Sequence, residues 1–209
     1  GPTNAVAVQG DYAYVGVGLR LIVLDISTPA APIEVGNTMP FPYFVEDVVI
    51  SGTHAYVADG YAGLRVVDIS IPAKPTEIGA WDSPGYAKGV AVAGGTAYLA
   101  DGPYGLWAVD ISVPADPSLI GSAYKMNYAF DVVVANNHAY IAAAGAGLLI
   151  ADVSNPADLI EVGSLETPGY AYGVTVAGNM AYVADGWEGV RLVNVTDPGH
   201  AVEVSSYKT

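Results

Sequence analysis

The chain has 209 residues, 52 % of them hydrophobic and 13 % charged, so it holds enough apolar surface to offset chain entropy and does not read as disordered. Seven basic residues against 21 acidic ones give a formal charge of −14, which excludes a nucleic-acid binder and disfavours an anionic membrane surface. With no cysteine, disulfides, thiolate zinc sites and cysteine nucleophiles are excluded, and no apolar run approaches the roughly 18 residues of a membrane span.

The chain opens on Gly1-Pro2, which reads as the scar of a removed expression tag. On that reading the natural chain was trimmed, and a targeting signal can have gone with the missing part. From residue 3 a repeat begins. Tyr14, Tyr56, Tyr98, Tyr140 and Tyr182 fall 42 residues apart at every step. Asp25, Asp68, Asp110, Asp152 and Asn194 form a second series, and Pro29, Pro72, Pro114, Pro156 and Pro198 a third. These two carry one step of 43, because the first unit lost a residue near Gly16–Gly18 and regained one near Pro40–Tyr43. Five units account for residues 3–209 and leave no linker or second domain.

The second unit shows the elements most clearly. Val48-Val49-Ile50 ends at Ser51-Gly52, and Ala55-Tyr56-Val57-Ala58 ends at Asp59-Gly60. Leu64-Arg65-Val66-Val67-Asp68 follows and stops at Ser70 and Pro72, and Thr76 to Trp81 stops at Ser83-Pro84-Gly85. Short β-rich runs between turn residues predict a four-stranded antiparallel meander, and no window has a capped helical period. One such sheet cannot bury both of its faces. Stacking sheets radially does so and leaves only short edges. The small residues Ala13, Ala55, Ala97, Ala139 and Ala181 suit crowded faces of this kind. The expected fold is all-β: a five-bladed β-propeller, four antiparallel strands per blade and about 42 residues per blade.

The third run of each unit carries a recognisable pattern: Leu21-Ile22-Val23-Leu24-Asp25, Leu64 to Asp68, Leu106 to Asp110, Leu148 to Asp152 and Val190 to Asn194. Each is followed by a segment such as Ile69-Ser70-Ile71-Pro72 and later by a glycine such as Gly79. The chain resembles the LVIVD repeat of bacterial and archaeal surface proteins over its whole length. The resemblance implies an extracellular or cell-surface location and a binding or scaffolding role.

The propeller strand order puts the loops between second and third strands on one face with the loops joining successive units. The joining loops hold Phe44, Tyr86, Tyr128 and Tyr170 at one position. Two residues on stand Glu46, Lys88, Phe130 and Tyr172, followed by Asp47, Gly89, Asp131 and Gly173. These positions open the innermost strand and are expected to ring the channel mouth, with only Asn4 and Ala5 in the first unit. The loops between second and third strands add Asp59, Tyr61, Asp101, Tyr104, Asp185, Trp187 and Glu188. Aromatics mixed with carboxylates suit sugar stacking or peptide anchoring. The candidate ligand-binding residues are Phe44, Glu46, Asp47, Lys88, Tyr128, Phe130, Asp131, Tyr172 and Trp187. An aromatic repeated in every unit also serves packing between blades, so residues that vary between units are the stronger candidates.

The expected function is a non-enzymatic ligand-binding or protein-interaction scaffold with a protein or glycan at this face. A carbohydrate-binding lectin-like propeller, stacking sugars on Tyr61, Tyr104 and Trp187, is the alternative. A glycoside hydrolase using Glu46, Asp47 and Asp131 is a further one, although units this short leave little loop for a deep pocket. No cofactor and no metal are expected. Calcium wants several oxygens from one loop, whereas each Asp-Gly loop offers one carboxylate and the fourth unit has Ala143 there. The aspartates of these loops are expected to cap their turns, and the series beginning at Asp25 to form Asx turns. His54, His138 and His200 are expected to be solvated turn residues, too far apart for a metal or a catalytic triad. No strand is exchanged between the ends. Closure is therefore expected to rest on packing of the first blade on the last, in a monomer, with that seam the weakest.

Overall fold

The β-branched and aromatic runs become strands because such side chains suit a pleated, half-buried surface, and the bounding Gly, Pro, Asn and Asp suit tight turns. The computed structural model describes residues 1–123 and 128–208. Blade one contains β1 (Thr3–Gln9), β2 (Tyr12–Val17), β3 (Arg20–Asp25) and β4 (Ile33–Asn37). Blade two contains β5 (Asp47–Ser51), β6 (His54–Ala58), β7 (Leu64–Asp68) and β8 (Thr76–Trp81). Blade three contains β9 (Gly89–Ala93), β10 (Thr96–Ala100), β11 (Leu106–Asp110) and β12 (Ser118–Ala123). Blade four contains β13 (Asp131–Ala135), β14 (His138–Ala142), β15 (Leu148–Asp152) and β16 (Ile160–Leu165). Blade five contains β17 (Gly173–Ala177), β18 (Met180–Ala184), β19 (Val190–Asn194) and β20 (Val202–Tyr207). Within each blade the strands pair antiparallel in chain order, giving the five four-stranded meanders of a five-bladed propeller repeat. The first strands β1, β5, β9, β13 and β17 lie innermost, each against the next.

Every blade carries the same irregularity between its third and fourth strands. In blade two, Val66 pairs Gly79 and Val67 pairs Glu77, so Ile78 is bulged out. A bulge sharpens local twist, and here the neighbouring glycine meets the next blade. A Cβ at Gly36, Gly79, Gly121 or Gly163 would strike the carbonyl oxygen of Pro72, Pro114, Pro156 or Pro198. Glycine thus lets the outer corner of each of the first four blades rest on the proline loop that follows. The fifth blade has Ser205 at the matching place.

The core consists of four clusters, one between each pair of consecutive blades. In the second seam Tyr56, Ala58, Leu64 and Val66 pack against Val90, Ala97, Leu99, Trp107 and Val109. The Trp81 and Trp107 rings meet there with centroids 5.6 Å apart. The middle strands of blades two to four are buried on both faces, whereas β2, β3, β18 and β19 mix buried residues with half-buried or exposed ones. Among the described residues no cluster joins blade five to blade one, and β17 does not lie against β1 as the other inner strands lie against each other. Closure by side-chain packing, expected from the sequence, is therefore corrected: this seam is not weakly packed but unpacked. On the outward face of blade one Val6 and Val8 are 63 % and 61 % exposed.

Candidate functional site

The bridges Gly60↔Ala87, Gly102↔Ala129 and Ala144↔Ala171 tie the loop after each second strand to the segment entering the next blade. The two loop sets therefore share one face, and the aromatic residues on them meet across blade boundaries. Tyr61 stands edge-on to Tyr43 at 5.4 Å and to Tyr86 at 4.7 Å. The Tyr86 hydroxyl donates to Glu46 at 2.6 Å. Burial first, then Glu46, holds the Tyr86 phenol well above its ordinary range. The Lys88 ammonium lies 3.7 Å from Glu46, 4.6 Å from the Tyr86 ring centre and 5.5 Å from that of Phe130. Phe130 packs against Tyr128 and Tyr172, each at 4.9 Å, and Tyr172 stacks on Tyr170 at 6.4 Å. Two groups of rings, Tyr43, Tyr61 and Tyr86 on one side and Tyr128, Phe130, Tyr172 and Tyr170 on the other, are thus linked into one row by the Lys88 ammonium. Phe44 is exposed on the same loop as Tyr43 but makes none of these ring contacts.

Trp187 is 94 % exposed at the far end of this row. With Pro168, Gly169, Tyr170, Tyr172, Gly186 and Glu188 it lines a groove of about 410 Å³. A free indole beside two phenols offers large, rigid contact area to a flat apolar partner at small entropic cost. Tyr104 is exposed on blade three, apart from that groove.

Asp47 and Asp131 behave differently from the rest of the candidates. Asp47 accepts from the Val48 N–H at 2.8 Å and, across the blade boundary, from the Val90 N–H at 2.9 Å. Asp131 accepts from Val132 and Val174 in the same way, each at 2.8 Å. Each carboxylate staples the inner strand of its own blade to that of the next. The alternate positions are Gly89 and Gly173, and a Cβ at Gly89 would crowd Asp131. Burial pushes Asp47 up to about 6 against the opposing Val90 N–H, with the Asp131 charge adding to the rise. Burial also raises Asp131, while the N–H groups of Val174 and Val132 oppose it.

Asp59, Asp101 and Asp185 are fully buried, and the turn capping expected for them is not what their carboxylates do. The turns close through the backbone, with the Asp59 N–H bonded to the Gly63 carbonyl and its equivalents. The carboxylates reach into the preceding joining loop instead. Asp101 accepts from the Ser83 hydroxyl at 2.5 Å and the Gly85 N–H at 2.8 Å; Asp185 accepts from Thr167 at 2.5 Å and Gly169 at 3.1 Å. Asp59 receives the Tyr43 N–H at 3.4 Å. The segments that carry the aromatic row are thereby anchored from beneath.

Arg65 and Arg191 complete this anchoring and were not singled out by the sequence. Arg65 bonds Asp82 at 2.6 Å and the Ala62 carbonyl at 2.7 Å and lies 3.5 Å from Asp59. Arg191 lies 3.0 Å from Asp185, 3.6 Å from Glu188 and 3.5 Å from Glu203. Their signal was a charge where the other units have Ile22, Trp107 and Leu149.

The Asx turns form as expected, with Asp25, Asp68, Asp110, Asp152 and Asn194 each accepting the N–H two residues on. His54 and His138 pack near Tyr56 and Tyr140, and His200 pairs with Asp197 at 2.9 Å. Among the described residues no group of three His, Cys, Asp or Glu is placed to hold a metal ion, and no helix is long and apolar enough to cross a membrane.

The LVIVD repeat model matches this chain five times, over residues 1–39, 44–83, 84–124, 127–167 and 168–209. Among solved structures, the crystal structure of the computationally designed Ika8 protein is similar, with a TM-score of 0.79 and 10 % sequence identity over 99 % of this chain and 63 % of that chain. At that identity the likeness concerns the fold alone, and this chain spans less than two thirds of the other's length. No curated protein matches the chain.

Proposed function

The chain belongs to the LVIVD-repeat family, and on that premise we propose that it is a non-enzymatic binding module acting outside the cell or at its surface. Its partner, a protein segment or a glycan, lies along the aromatic row. The supporting observation is the continuity of that row: rings meet across blade boundaries on either side, and Lys88, seated between Tyr86 and Phe130, joins the two groups. Rings already held by their neighbours lose little freedom on binding, so their contact area is converted into affinity efficiently.

A second reading, a sugar-binding lectin, is favoured by Trp187 and its groove beside Tyr170 and Tyr172. The glycosidase reading is weaker. Asp47 and Asp131 spend both oxygens on backbone N–H groups, and Glu46 is engaged by the Tyr86 hydroxyl and Lys88. A general acid or nucleophile needs an oxygen free to meet the glycosidic bond.

A glycan array and a library of extended peptides, probed with the native chain and with Phe130→Ala plus Tyr172→Ala, test the proposal. Hits should weaken at least about tenfold in the double variant, as loss of central aromatic anchors implies. Hits that ignore the double variant would place the contact elsewhere. Binding that survives Asp131→Asn but disappears in Trp187→Ala selects the lectin reading, and sugar turnover lost in Asp131→Asn would restore the hydrolase.

A further inference from the structure

The four internal seams all use the same two faces. The following face of one blade presents residues such as Tyr56, Ala58, Leu64 and Val66, and the preceding face of the next presents residues such as Val90, Ala97, Leu99 and Val109. Blade five carries the first kind of face with nothing packed on it: Tyr182, Ala184, Val190 and Leu192 stand at the positions of Tyr56, Ala58, Leu64 and Val66 and are half-buried or exposed. Blade one carries the second kind: Val6, Ala13, Val15 and Leu24 stand at the positions of Val90, Ala97, Leu99 and Val109. Val6 and its neighbour Val8 are largely exposed, and Val15, Ile22 and Leu24 half-buried, while Leu99 and Val109 are fully buried.

Composition makes the exposure unusual. The chain has 28 charged residues to place on solvent-facing surface. On the blade-one face the charges lie at the rim: the Arg20 guanidinium turns to the Asn37 side chain and the Thr38 carbonyl, and Glu34, opposite Leu24 on the outer strand, accepts from the Asn37 amide. On the blade-five face Thr175, Tyr182, Ala184, Val190 and Leu192 carry no charge. Contiguous apolar sheet faces of this extent mark an interaction surface.

We infer that these two end faces dock on one another in separate copies of the chain, the fifth blade of one copy against the first blade of the next. Each face is the complement of the other by the packing rule the chain itself follows four times. The contact is head to tail, so it forms a ring of copies where the rotation closes and a longer stack where it does not. Ser205 sets how the seam differs from the internal ones. Its Cβ keeps the outer corner off the Pro29 loop of the neighbouring copy, so the contact is closest at the inner strands and wedges open outward.

Sedimentation velocity tests this with two blocked variants. Val8→Lys blocks the blade-one face, and Leu192→Lys blocks the blade-five face. The native chain should show species heavier than the monomer that grow with concentration up to about 100 μM, a range well above the dissociation constants of standard-sized interfaces. Each variant alone should run as a monomer with an unchanged β-sheet circular dichroism spectrum. An equimolar mixture of the two should form a one-to-one heterodimer, because the fifth blade of the first variant and the first blade of the second remain open. A native chain that stays monomeric over this range overturns the inference. So does either single variant that still self-associates, or a mixture that does not associate.

Discussion

The seam between blades two and three and the outward faces of blades one and five are made of the same residue types in the same register. In the seam, Tyr56 is 4 % exposed and Leu99 fully buried. At the ends, Tyr182 and Val15 hold the matching positions and remain partly in water. The repeat thus specifies a pair of adhesive faces per blade but not what covers them. Stability in such an array is close to a sum of blade and nearest-neighbour terms, so a residue's worth depends on whether its blade has a neighbour on that side.

The largest expected contrast is at the outer corner. Gly79→Val should destabilise the chain by about 3 kcal/mol or prevent folding, because the new Cβ strikes the Pro114 carbonyl, while Ser205→Val should change stability by less than about 0.5 kcal/mol. Urea denaturation of the two variants measures this, and equal losses would mean that blade five is covered in solution. Next, Tyr98→Ala should cost about 3 kcal/mol and Tyr182→Ala about half as much, in proportion to the area each buries. A Tyr182→Ala loss as large as that of Tyr98→Ala would likewise point to a covered end face.

The Asp staples sharpen the comparison within the array of blades. Asp47→Ala leaves the Val90 N–H unpaired, at a cost of about 1–3 kcal/mol. Hydrogen exchange should speed up at Val90 and not at Val174, which has its own staple in Asp131. Simultaneous loss of protection at both amides would mean the blades open as one unit.

A smaller effect is the pH dependence. Burial raises Asp59 to about 7 and Asp101 to about 6, and Asp47 also to about 6. Unfolded, these groups titrate near about 4, so between about pH 4 and pH 7 the folded chain keeps protons that the unfolded chain has released. Their contribution is full below the unfolded value and is lost as pH rises through the folded one. The urea midpoint should therefore be higher at pH 5 than at pH 8, and Asp101→Asn should flatten part of that slope. Asp25, Asp68, Asp110 and Asp152 act oppositely: hydrogen bonds to the serine two residues on lower their values, and their contribution is lost in stronger acid. The smallest change belongs to Trp187→Ala, which should leave stability within about 0.5 kcal/mol because the ring is almost wholly in solvent.

Much of the candidate site was legible in the sequence because it follows the repeat. The 42-residue spacing placed Phe44, Tyr128, Phe130, Tyr172 and Trp187 on one face, and local chemistry sufficed for the Asx turns. The roles of the carboxylates were not legible. Asp47, Asp59, Asp101 and Asp131 look alike as acids next to turns, yet their partners lie 16 to 43 residues away and in adjoining segments. Arg65 and Arg191 were hidden in the same way, as charges inside apolar strands whose acidic partners come from other loops and, for Glu203, from the neighbouring strand.

The sequence alone determined the strands, their order, the size of the unit and the face that carries the aromatics, because period, pattern and turn chemistry are local properties. Tertiary structure alone decided which acids are tied to backbone amides, how the rings join into one row and that the last blade does not reach the first. Those outcomes depend on the angle at which each sheet leans on its neighbour, and that angle is set by close packing across every seam at once rather than by any single unit.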